Sequence, residues 1–206
     1  MNPFIEIFIF FIVPTFLFVS GIFHIKYRAW GLTTVGLLIG LNVFLNKWSL
    51  ERLSIRLDNI KEIWVAYLVA TIISIIFIFI SSHILKRKFI SSWKVYPDAF
   101  FSIFFGSFLQ EFLFRSYLMS KLGEIFSSVI LIITINGLLF ALMHMIFPEL
   151  KIDFPFIFLA GLLFACIYYF FPNLILISVM HMILNFTACS FGFFTLTPEL
   201  HKINHK

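Results

Sequence analysis

In the stretch FLQEFLFRSYL, residues 108–118, a carboxylate (Glu111) and a guanidinium (Arg115) stand four residues apart among apolar neighbours. On a helix that spacing puts both on one face, where they can pair. The same spacing recurs twice, as Phe140 with His144 and as His181 with Asn185. Together these positions offer a carboxylate, two imidazoles and an amide. That set can activate a water molecule and hold a developing oxyanion. A single histidine in a membrane helix is about as often a packing residue as a functional one. All the deep ionisable groups falling in three apolar blocks argues instead for one shared site.

Two chemical arrangements are open at this point. In one, a carboxylate and a histidine polarise water while the second histidine and the asparagine hold the oxyanion. In the other, His144, His181 and Glu111 ligate Zn²⁺ as a two-histidine, one-carboxylate set. The metal arrangement ranks lower, because no HExxH is present and Arg115 competes for Glu111. Nucleophilic catalysis ranks lower still, since Ser107, Ser116 and Ser178 have no distinguishing sequence context and small hydroxyl residues in membrane helices usually serve packing.

The elements that must position these residues are apolar blocks. The 206 residues are 61% hydrophobic and 12% charged, about half the charge of a soluble domain. Mean hydropathy is +1.04. The blocks are unbroken rather than amphipathic, which predicts an integral membrane protein forming a single domain over 1–206. At roughly 20 residues per crossing, seven helical spans are expected. They lie near residues 3–23, 30–45, 64–85, 98–119, 126–147, 154–171 and 173–194. The fold class predicted is therefore all-α, a polytopic bundle around a polar intramembrane cavity, with residues 98–185 as its core. A β-barrel is excluded by block length and by the lack of period-two alternation. Gly31, Gly36 and Gly40 suit close packing of the second span on a neighbour. Pro172 and Asn173 predict a tight hairpin between the last two.

The remaining polar residues read more simply. Glu6 and His83 lie near span ends, where they can reach the interface by snorkelling. Asn42 and Asn136 suit interhelical hydrogen bonds. The segment SLERLSIRLDNIKEI, residues 49–63, fits either a short interfacial helix or a polar connector. Cys166 and Cys189 lie within apolar blocks and point to no disulfide. The net charge of +5 is spread over the loops, which suits anionic lipid headgroups and not nucleic acid. No cleaved leader is expected, because no basic residue precedes the first block. Lys26, Arg28, Lys86, Arg87, Lys88, Lys94, Lys151, Lys202 and Lys206 fall on one side of the predicted topology. Lys47, Arg52, Arg56, Lys61 and Lys121 fall on the other, which puts the C-terminus in the cytoplasm of a cell-membrane protein.

These residues resemble the CPBP intramembrane peptidases, also called the Abi family, which includes CAAX endopeptidases and bacteriocin-processing and immunity proteins. The family motifs EExxxR, FxxxH and HxxxN correspond here to residues 110–115 (QEFLFR), 140–144 (FALMH) and 181–185 (HMILN). The block GLLFACIYY from Gly161 resembles the glycine-led helix before the third motif. The resemblance covers residues 98–185 and implies metal-independent, cofactor-free, glutamate-type hydrolysis of a peptide or lipidated-peptide substrate. It implies His144 beside the water, His181 and Asn185 as the oxyanion pair, and Glu111 and Arg115 as supports, with Phe140 marking the second motif.

The departure falls on the first glutamate, which is Gln110 here. A neutral amide orients water but does not accept its proton. Three readings follow. Glu111 takes the base role, or His144 does so with Gln110 orienting the water, or the chain binds a peptide without cutting it, as an immunity or regulatory factor. A transporter is disfavoured, because there is no repeat symmetry.

Overall fold

The computed structural model describes residues 2–24, 27–87, 89, 97–145 and 153–193. Among them are seven helices and no strand, as the apolar blocks predict. Helix α1 (Pro3–Val19) starts where Asn2 accepts the Phe4 N–H at 2.9 Å and Pro3 needs no donor partner. It includes a π-helical turn at Phe8–Ile12. Helix α2 (Arg28–Leu45) lies close to both its neighbours. A Cβ on Gly31 would sit 2.6 Å from the Phe18 ring, and one on Gly36 would sit 2.8 Å from Leu109. Gly40, by contrast, meets nothing.

No interfacial helix forms in the connector at residues 49–59. Positive φ at Lys47 (51°) and Ser54 (54°) breaks the helical path, and the segment folds into turns. Those turns cap one end of the bundle. The Leu53 carbonyl accepts Ser116 Oγ at 3.0 Å, the Ser54 carbonyl accepts the Leu174 N–H at 2.8 Å, and Asn173 Nδ2 donates to the Arg56 carbonyl at 2.8 Å. The buried backbone is thereby paired from two other helices, Asn173 and Leu174 both standing at the start of one of them.

Helix α3 (Ile60–Ile84) has 25 residues and a mean hydropathy of 2.7 over its apolar window. Among the described residues it is the one helix both long and apolar enough to cross a membrane, while the apolar stretches Pro3–Val19, Trp30–Leu45, Val129–His144, Phe154–Phe170 and Leu174–Ser190 are shorter. It begins four residues before the expected span, because Lys61 and Glu62 continue the helix with their charges exposed. Helix α4 runs from Pro97 to Ile125 as an α-helical part (Pro97–Glu111), a π-helical part (Phe112–Leu118) and a final α-helical part (Met119–Ile125). Helices α5 (Val129–His144), α6 (Phe154–Phe170) and α7 (Leu174–Ser190) complete the bundle. Asn173 makes the α6–α7 hairpin by accepting the Leu176 N–H at 2.9 Å. The expected span ends at 147 and 194 lie outside the described residues.

Every residue from 113 to 119 is buried, so the middle of α4 is enclosed on all sides. Phe11 on α1 meets Phe114 edge-on at 5.4 Å, and Asn136 on α5 donates to the Phe114 carbonyl at 2.6 Å. The interhelical bond expected of Asn136 is thus present. Helices α5 and α6 touch backbone to backbone, since a Cβ on Gly161 would meet the Gly137 carbonyl at 2.8 Å. Glu6 corrects the snorkelling expectation. It is 2% exposed, 3.1 Å from Lys121 Nζ, and accepts the Tyr117 hydroxyl at 2.5 Å. The reach from α1 to α4 lets the two charges neutralise each other inside the fold rather than at its edge.

Candidate active site

Helices α4 and α7 run antiparallel, and their facing side chains form two rungs. His181 Nδ1 lies 2.6 Å from Glu111 Oε1, and one turn along Asn185 Nδ2 donates to Ser107 Oγ at 3.1 Å. Glu111 and Ser107 are four residues apart on α4, and His181 and Asn185 are four apart on α7, so one register sets both rungs. Glu111 Oε2 lies 3.3 Å from Arg115 Nε, and both side chains are fully buried. That contact is an ion pair without hydrogen-bond alignment, as neither atom has a hydrogen-bond partner.

A guanidinium buried this way needs other compensation. Arg115 Nη2 donates to the Gly161 carbonyl at 3.4 Å, and its charge lies 4.5 Å from the Phe140 ring centroid and 5.4 Å from that of Phe164. Ring faces stabilise a desolvated cation by roughly 2 kcal/mol. The same two rings flank His181, at 5.8 and 5.0 Å between centroids. Phe140 thus touches the arginine and both histidines, because the His144 ring lies tilted against it at 4.5 Å.

His144 is the last residue of α5, and its Nδ1 lies 2.8 Å from the Phe140 carbonyl. A carbonyl only accepts, so Nδ1 carries the hydrogen, and in the neutral ring Nε2 carries the lone pair. By the same reasoning His181 donates from Nδ1 to Glu111 and turns Nε2 away from it. His144, His181, Asn185 and Phe140 all line one cavity of about 320 Å³ between α3, α5, α6 and α7. The walls are otherwise mostly apolar, with Ser74, Ser81 and Asp153 as the further polar members.

Of the residues singled out in the sequence, Gln110, Glu111 and Arg115 do not line this cavity. Glu111 stands behind His181. Gln110 is half-buried, and its Oε1 is enclosed without a hydrogen-bond partner. For the zinc arrangement, both Glu111 oxygens already face His181 and Arg115. Among the described residues no group of three His, Cys, Asp or Glu side chains is placed to hold a metal ion.

Sequence reasoning set Ser107 aside as a packing hydroxyl and missed Asp153. Ser107 lies one turn before Glu111, so its spacing was the available signal. Asp153 had none, because its role comes from Arg87, which binds both its oxygens at 2.9 Å and donates to the Gly192 carbonyl at 3.1 Å. Burial raises the Asp153 carboxyl above its usual value, and Arg87 pulls it back.

Residues 90–187 match the family model described as type II CAAX prenyl endopeptidase Rce1-like. No curated protein and no solved structure matches the chain.

Proposed function

We propose, from its cavity and from the match of residues 90–187 to the Rce1-like CAAX prenyl endopeptidase model, that the chain is a CPBP-type, multi-pass intramembrane peptidase cleaving a peptide or lipidated peptide by metal-independent hydrolysis. The observation that carries this reading is that His144, His181 and Asn185 line a single cavity while Glu111 backs His181. Seven crossings with a cytoplasmic C-terminus remain the topology that best fits the apolar blocks and the loop charges.

In this reading His144 is the base. Its Nε2 takes a proton from water as the oxygen attacks the substrate carbonyl, and the carbonyl oxygen becomes an oxyanion. Asn185 donates to that oxygen, and His181, whose Nδ1 is bonded to Glu111, donates to it from Nε2 in its doubly protonated form. Collapse of the tetrahedral intermediate breaks the C–N bond, and His144 returns its proton to the leaving amine. Glu111 is occupied by His181 and Arg115, which disfavours it as the base. A positioned base contributes about 10²–10⁴ in rate, and one oxyanion donor about 10²–10³.

Gln110 supports a second reading, in which the cavity binds a peptide without cutting it, as an immunity or regulatory factor. Both are tested by reconstituting the protein in lipid with a panel of membrane and lipidated peptides and reading new termini by mass spectrometry. If the chain cleaves and His144→Ala loses at least about a hundredfold in rate, the peptidase reading stands. If only Gln110→Glu cleaves, the binding reading replaces it.

A further inference from the structure

Ser107 plays no part in the reaction as written, yet its hydroxyl is fully buried at the second rung of the α4–α7 ladder. Its partner Asn185 lines the cavity, whereas Ser107 does not. The asparagine amide has two N–H donors and one carbonyl, fixed in a plane. A bond from one N–H to Ser107 Oγ therefore sets the direction of the other two groups. Resting on the peptidase reading, we propose that Ser107 is a positioning residue: by accepting one N–H of Asn185, it aims the second N–H at the oxyanion formed in the cavity.

The physical case is preorganisation. An oxyanion donor is effective when its direction is fixed before charge develops, so that no reorientation accompanies the reaction. Glu111 gives His181 such a fixed direction through Nδ1 at the first rung. Without Ser107 the Asn185 amide would rotate among its rotamers and present its carbonyl, an acceptor, for part of the time. The competing account is that this bond only holds two helices together, as the bond from Asn136 to the Phe114 carbonyl does. The two accounts separate in kinetics. Helix-to-helix binding alone changes stability, whereas aiming a donor changes kcat and leaves KM alone.

The test compares Ser107→Ala, Asn185→Ala and the double variant in lipid vesicles, in whichever of the natural chain or Gln110→Glu cleaves. Expected is a drop in kcat of about tenfold for Ser107→Ala, less than the loss of the donor itself, with KM within about twofold. In the Asn185→Ala background the same substitution should change kcat by less than about twofold, because the group it aims is gone. Ser107→Cys keeps the volume and a weak acceptor, and provides the same comparison should Ser107→Ala not fold. Unchanged kcat, or an equal loss with and without the Asn185 amide, overturns the positioning role and leaves the peptidase reading intact. If neither chain cleaves nor binds a peptide aldehyde more tightly than the matching alcohol, the peptidase reading fails and the Ser107 role with it.

Discussion

At the scale of the residue, Glu111 has two tasks that pull on one carboxylate. It neutralises Arg115 on one oxygen and orients His181 on the other. Replacing it with alanine should leave a buried arginine without its counter-charge and cost about 3–5 kcal/mol, read as a lower melting temperature in lipid or detergent. Pairing Glu111→Ala with Arg115→Met should recover much of that loss, since the uncompensated charge is removed as well. Activity should not return in the double variant, because His181 would still lack its anchor. Spacing in the sequence already pointed to the Glu111–Arg115 pair and to the i, i+4 motif residues. The bond between Glu111 and His181 was not legible, because it joins helices 70 residues apart in the chain. Nor was the isolation of Gln110 from the cavity, which depends on how α4 is rotated against α7.

At the scale of the element, α5 and α6 pack through two glycines, and that contact reaches the site directly. A Cβ on Gly161 would lie 3.1 Å from Phe140 Cδ1 as well as against the Gly137 backbone. Gly161→Ala should therefore cost about 1–3 kcal/mol in thermal unfolding. It should also lower turnover, because Phe140 carries Arg115, His144 and His181. Helix number followed from block length alone. Helix type did not: neither composition nor periodicity marks the π-helical turns at Phe8–Ile12 and Phe112–Leu118. Over residues 49–63 the sequence left an interfacial helix and a polar connector both open; residues 49–59 form the connector, with Leu53 pulled into the bundle and its carbonyl taken up by Ser116.

At the scale of the whole molecule, Arg87 ties the end of α3 to Asp153 before α6 and to Gly192 after α7. Asp153 also lines the cavity, so this tie stands at its wall. The sign of its pH response follows from its raised carboxyl. Above the ordinary aspartate value near 3.9 the unfolded chain has lost this proton while the folded chain still holds it. The group therefore favours folding at low pH, and that contribution is lost as pH rises through the folded value. The bridge itself needs the carboxylate. On acidification it should open before ordinary aspartates titrate, without unfolding the bundle. Amide hydrogen exchange near residues 189–193 should accelerate over that range in the natural chain, and be fast at every pH in Asp153→Asn.

The enclosure of α4 also bears on how the protein is made. Arg115 finds its carbonyl partner at Gly161, 46 residues later in the chain, and Glu111 meets His181 only when α7 has been synthesised. In the membrane placement proposed for it, α4 enters the bilayer with a carboxylate and a guanidinium that have only each other for company. A nascent chain ending before α6 is thus a poor lodger in lipid, and the last third of the sequence acts as the licence for the middle to stay. The chemistry of the site and the order of its assembly are then one constraint: the helix that carries the charges becomes stable at the moment its histidine arrives.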